Sequence, residues 1–361
     1  MSTNSVFVLG MHRSGTSALA GALSHLGFQF VSRHDELHAG PANPKGFFER
    51  PSILNFSDTL LETHAWAWHT VNLYPFDVDK AVDLLSQGRN LIASLSNDSP
   101  VGVKDPRSCL LMPFWRRALL DRFEAIVITR DPAEVAWSLH VRDGLTVTVG
   151  LALWIAYNTH LANGIQGMDP HILRYENLVD SPATELTSIA QFLHERGMPV
   201  LHQESDLGVA AKSIDPTLRR ATVPDWVNDH PLTVEARSIR ELFHQTPGTD
   251  ISFTPSELCR EVLDTQFGAK KCDEFHHELN LARIQLGQEQ LGHINNVRMF
   301  ETRMSELNDA ISTYQHDLSH RISELEQTRQ QLERTVKSFS LQLGLLLTWP
   351  VRKLRPSNRS R

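Results

Sequence analysis

Apolar, β-branched residues gather in four short runs, Val6–Leu9, Val101–Val103, Ala125–Thr129 and His171–Arg174. A turn and then apolar positions at helical spacing follow each run. Continuous apolar strands separated by crossovers predict an α/β domain, a parallel sheet covered by helices on both faces. The pattern covers residues 1–265. Between 205 and 265 it weakens, because Pro216, Pro224, Pro231, Pro247 and Pro255 interrupt it, and this stretch reads as a lid or a domain edge. Over 275–346 proline is absent and apolar residues recur at steps of three and four: Met304, Leu307, Ile311, Tyr314, Leu318, Ile322, Leu325, Leu332, Val336, Phe339 and Leu343. The consecutive four-residue steps at Tyr314, Leu318 and Ile322 form a stutter. Such spacing predicts a long C-terminal helix that self-associates as a coiled coil.

The net charge of −7 excludes a surface built throughout to grip nucleic acid. Positive charge concentrates at 347–361, where Arg352, Lys353, Arg355, Arg359 and Arg361 follow the apolar Leu341–Val351. An apolar segment with adjoining cations suits peripheral contact with an anionic membrane surface. Cys109, Cys259 and Cys272 have neither the number for a disulfide framework nor the spacing of metal ligands, which fits a reducing compartment and no metal. No secretory pattern precedes the first strand, and no apolar stretch reaches the ~18 residues needed to span a bilayer. The expectation is a cytoplasmic protein, held at the inner face of the membrane by its tail if held at all.

The first strand runs into Gly10-Met11-His12-Arg13-Ser14-Gly15-Thr16-Ser17 and then an apolar helix. A strand, a tight glycine loop and a helix N-terminus make an anion site, because backbone N–H groups and the helix dipole point into it. Thr16 stands where a nucleoside triphosphatase loop carries lysine. The cation here is Arg13, with Ser14, Thr16 and Ser17 as hydroxyl donors. In Thr129-Arg130-Asp131-Pro132, Asp131 and Glu134 have capping-box spacing and Pro132 suits the first helical position. Those roles leave Arg130 unexplained at a strand's carboxyl end, where parallel sheets bind ligands.

The loop resembles the 5′-phosphosulfate loop of the sulfotransferase family, a basic residue followed by Ser-Gly-Thr-[ST]. The resemblance extends to Val101-Gly102-Val103-Lys104-Asp105-Pro106-Arg107, to Arg130 with Ser138 eight residues later, and to Leu173-Arg174-Tyr175-Glu176-Asn177-Leu178, in the family's order over residues 6–195. It implies a P-loop-like sulfotransferase fold and 3′-phosphoadenosine 5′-phosphosulfate (PAPS) as donor. Arg13, Ser14, Gly15, Thr16 and Ser17 would hold the 5′ end, and Arg130 with Ser138 the 3′-phosphate.

Sulfuryl transfer needs a base for the acceptor and cations over the developing charge. Arg13 and Lys104 are the candidate cations. Asn43-Pro44-Lys45-Gly46-Phe47-Phe48-Glu49 resembles the acceptor-side segment of bacterial and glycan sulfotransferases, which makes Glu49 the first candidate base. Equally, Glu49 could face solvent, paired with Arg50 or Lys45. Asp105 is the second candidate, standing where many small-molecule sulfotransferases place histidine. His64 and His69, in a stretch read as helical around Trp66-Ala67-Trp68, suit packing or an acceptor pocket. The acceptor implied is a hydroxyl or amine of a glycan or glycolipid, bound by the variable stretches 60–90 and 205–250. Two other classes stay open: a small-molecule P-loop kinase, and a non-catalytic nucleotide-binding coiled-coil scaffold.

Overall fold

The computed structural model describes residues 5–31, 46–95, 100–201, 203–218, 222–245, 251–269 and 297–353, the last with side chains over 303–338. The chain divides into two compact units, Met1–Phe267 and Gly268–Arg361. The first unit runs β1 (Ser5–Leu9), α1 (Thr16–His25), α2 (Pro51–Glu62), a 3₁₀ segment (Val78–Leu84), α3 (Leu85–Leu95), β2 (Val101–Lys104) and α4 (Ser108–Leu119). It continues through β3 (Glu124–Thr129), α5 (Pro132–Asp143), α6 (Val147–Gly164), β4 (His171–Arg174), α7 (Tyr175–Asp180) and α8 (Pro182–Glu195). Then come α9 (Glu204–Ser213), α10 (Asp225–Asn228), α11 (Pro231–Gln245) and α12 over 257–269.

The sheet has four strands in the order β2-β1-β3-β4, all parallel. Successive strand side chains point to opposite faces, and the core divides accordingly. Phe7, Leu9, Val103, Ala125 and Val127 join one apolar cluster with α2 to α6, α11 and α12. Val6, Val8, Ile126, Ile128 and Leu173 join another with α1, α7, α8 and α9. Both faces are therefore covered, which is why the strand sequences are apolar at consecutive rather than alternate positions. Helix α6 is buried nearly all round, packed among α4, α5 and α11, as its uniformly apolar sequence requires.

Two expectations are corrected. Of the two readings of 205–265, a lid or a domain edge, the described residues do not support the lid: α9 packs on α1 and α8, while α11 packs on α5 and α6. Leu232, Ala236, Ile239 and Phe243 of α11, with Ile251, Cys259 and Leu263 beyond it, are buried in the first cluster. The prolines misled because proline suits a helix's first turn, whose N–H has no partner in any case; Pro231 opens α11 just as Pro51, Pro132 and Pro182 open theirs. The second concerns Trp66–Trp68. Helix α2 stops at Glu62, and Ala67 pairs with Thr70 in an antiparallel bridge.

In the second unit, α13 (Val297–Lys353) is one helix. Leu307 and Ile311 are buried with Met304 against them, whereas Ile322, Leu332 and Val336 are exposed. The helix continues through Pro350 to Lys353, so the first part of the expected tail is helical. The coiled-coil segment over 275–296 and the tail beyond 353 lie outside the described residues. Among those residues, no helix is long and apolar enough to cross a membrane.

Because α11 belongs to the core, Phe243→Ala should cost about 3–5 kcal/mol in urea denaturation. A loss below about 0.5 kcal/mol, as for a surface site, would restore the lid reading.

Candidate active site

The loop after β1 turns sharply because Arg13 (φ 68°) and Gly15 (φ 92°) both take left-handed conformations. Only glycine adopts this conformation without cost. At Gly15 the constraint is doubled, since a Cβ there would lie 2.2 Å from the Tyr175 ring. The chain then enters α1 with no side-chain cap at Gly15, and a helix's first-turn N–H groups have no partner within the helix. Ser14 and Thr16 are buried, and the Ser17 hydroxyl donates to the Phe47 carbonyl at 3.3 Å.

Arg13, Arg130 and Ser138, far apart in sequence, come together. Arg13 Nε donates to Ser138 Oγ at 2.8 Å. Arg130, at the end of β3, donates through Nη1 to the Arg13 carbonyl at 3.0 Å and through Nε to Glu134 at 2.8 Å. Its guanidinium lies over the Tyr175 ring, 4.5 Å from the centroid. Burial, then the positive charges of Arg142 and Arg130, push the Arg13 pKa down to about 10. Guanidiniums gathered this closely favour any bound anion.

Lys104, at the end of β2 and almost wholly buried, is ion-paired with Glu49. Burial pulls the Lys104 pKa down, opposed by the Glu49 carboxylate. Of the neighbours weighed from the sequence for Glu49, Arg50 donates to the Gln29 carbonyl at 2.9 Å, and Lys45 lies outside the described residues. Asp105 is fully buried and accepts from the Arg107 backbone N–H at 3.0 Å and from Arg107 Nε at 2.9 Å. Arg107 also pairs with Asp58 on α2. This geometry fastens the β2 end to α2, and makes Asp105 an anchor for Arg107.

Three participants escaped the sequence reading. His12 packs its ring on Trp68 (centroids 4.8 Å apart) and Tyr157 (5.8 Å), with Nε2 buried and unpartnered. Burial, then Lys104, hold its pKa well below 6.5, so the ring is neutral. Arg142 lies one turn beyond Ser138 on α5, its guanidinium over Trp68 at 6.0 Å. Asp58 supplies the partner for Arg107. Helical spacing from Ser138 could have pointed to Arg142, but nothing local marks the other two. His64 is a packing residue: it stacks on Phe76 and accepts from the Asp77 N–H at 2.9 Å.

Helix α11 closes the outer side of this region. Arg237 binds Asp131, Arg240 binds Glu176, and Arg174 binds Glu241. A cavity of about 510 Å³ lies between them, lined by Asp131, Glu134, Glu176, Arg174, Arg237 and Arg240 among others. Among the described residues, no three His, Cys, Asp or Glu side chains group so as to hold a metal ion.

Comparison with solved structures finds similarity to the sulfotransferase domain from the curacin biosynthetic pathway, with 16% identity and a TM-score of 0.37 over 65% of this chain and 96% of that one. The sulfotransferase domain from the Synechococcus PCC 7002 olefin synthase is also similar, with 16% identity and a TM-score of 0.41 over 65% of this chain and 94% of that one. A scan against protein-family models and a search of curated proteins give no match.

Proposed function

We propose that residues 1–265 form a sulfotransferase that moves a sulfuryl group from PAPS to a hydroxyl or amine of a glycan or glycolipid. The observation that carries this reading is the meeting of Arg13, Arg130 and Ser138 at one glycine loop without a lysine at position 16. A triphosphate site would need that lysine, which disfavours the kinase reading. In the donor reading, Arg130 and Ser138 take the 3′-phosphate, while Arg13, Ser14, Gly15, Thr16 and Ser17 take the 5′-phosphosulfate. PAPS supplies an activated sulfuryl group with a phosphate leaving group.

The Lys104–Glu49 pair divides the chemistry between its members. When Lys104 turns to the sulfuryl oxygens, Glu49 is released to accept the acceptor's proton. The acceptor oxygen or nitrogen forms its bond to sulfur as the bond from sulfur to the 5′-phosphate oxygen breaks. Adenosine 3′,5′-bisphosphate leaves with the bonding electrons. Asp105, locked to Arg107, serves by fixing the strand end that carries Lys104.

Arg130→Ala should weaken adenosine 3′,5′-bisphosphate by ~30-fold or more, about 2 kcal/mol, while AMP affinity changes little; calorimetry with both nucleotides distinguishes this from a structural loss shared by the two. Glu49→Gln should keep bisphosphate affinity and lower turnover ~100-fold or more, whereas near-normal turnover would remove Glu49 as the base.

We also propose that the seam of α13 pairs with other copies of the chain and that its basic end contacts anionic lipid. The exposed Ile322, Leu332 and Val336 along that seam support pairing, because such positions are buried only against another helix. Sedimentation should show an oligomer for the full chain and a monomer for one ending near residue 270, with vesicle binding that falls as salt rises. A monomeric full chain at micromolar concentration would remove the coiled coil.

A further inference from the structure

Arg142 is a charge that the proposed donor site does not use. It follows Ser138 by one helical turn on α5, so both side chains face the glycine loop. Ser138 meets Arg13, whereas Arg142 lies over the Trp68 indole, which packs in turn on His12. The loop therefore has two sets of neighbours. Ser138 and Arg130 meet Arg13, while Trp68, with Arg142 over it, packs on the His12 ring. Burial and then the nearby Lys104 depress the His12 pKa.

The guanidinium is held edge-on by Asp143, which accepts from Nε at 2.8 Å and from Nη2 at 2.7 Å. Nη1 has no partner among the described residues. A planar cation held along one edge by a carboxylate, 6.0 Å over an indole and about a quarter exposed, leaves Nη1 available to an anion. That arrangement suits an oxyanion adjoining a ring that can lie against Trp68.

We propose that Arg142 and Trp68 select an acceptor sugar bearing an oxyanion, a carboxylate or a phosphate ester, close to the nucleophile. The inference rests on the sulfotransferase reading and narrows its acceptor from glycans in general to acidic ones. It also accounts for the electrostatic setting of the loop. Arg142 is the foremost charge lowering the Arg13 pKa, a repulsion that an anionic acceptor relieves beside the anionic donor.

The test uses the full chain saturated with adenosine 3′,5′-bisphosphate, and three hexoses that differ only at carbon 6: glucose, glucuronate and glucose 6-phosphate. Affinities are read by ligand-detected NMR, with the bisphosphate constant measured separately by calorimetry. At least one acidic sugar should bind roughly tenfold tighter than glucose, and which one identifies the oxyanion. Arg142→Gln should abolish that preference without changing bisphosphate affinity, and Arg142→Lys should retain part of it. Equal binding of all three sugars to the unaltered chain overturns the proposal. So does a loss of bisphosphate affinity in Arg142→Gln matching the loss for acidic sugars, since Arg142 would then serve the donor. A chain that binds no bisphosphate at all overturns the donor reading itself, an outcome visible before any sugar is added.

Discussion

The guanidinium of Arg130 is the point at which the ends of three strands are tied together. Arg130 directly follows β3; it reaches the Arg13 carbonyl in the loop after β1, and it lies on the ring of Tyr175, the first residue after β4. Glu134, one turn into α5, holds its Nε. Each contact depends on another. Tyr175 can approach only because residue 15 has no side chain, and the Arg13 carbonyl faces Arg130 only because the backbone at Arg13 is left-handed. Replacing any one of these residues disturbs the others, because coupled contacts in a packed site are not additive.

Around that junction, charge is arranged in two ways. On the outer side, the arginines of α11 and β4 each meet a carboxylate, so the cavity there is close to neutral and acts as a brace. On the loop side, Arg130 and Arg142 also meet carboxylates, Glu134 and Asp143, while Arg13 loses basicity first through burial and then through the charges of Arg142 and Arg130. Lys104 is the intermediate case, a buried ammonium whose charge is balanced by Glu49, with Asp105 adding to it.

The brace explains why α11 is core and not cover. Its apolar face fills the layer against α6, while Arg237 and Arg240 reach over the edge of the sheet to Asp131 and Glu176. Both acids adjoin residues of the junction: Asp131 follows Arg130, and Glu176 follows Tyr175. His244, from the same helix, meets the Thr129 hydroxyl at 2.8 Å. The last third of the first unit thereby holds the strand ends in place, though it contributes no residue to the loop.

By itself the sequence determined the strands, the glycine loop, the helix start at Asp131–Pro132 beside Arg130, and a long C-terminal helix, expected over 275–346 and described over 297–353. These are local matters: β-branched runs, proline at first helical positions and heptad spacing act through near neighbours and can be read in order. Arg13 was legible from the glycine loop and Arg130 from its place at the carboxyl end of β3. Ser138, in the middle of α5, was legible only through its eight-residue spacing from Arg130 in the sulfotransferase resemblance. Tertiary structure alone decided that Glu49 pairs with Lys104, that Arg107 pairs with Asp58, that His12 is buried between Trp68 and Tyr157, and that the apolar face of α11 is core. Each of these outcomes depends on residues dozens of positions apart. Burial and ion pairing respond to distance in space, and chain order constrains that distance only after the sheet has assembled.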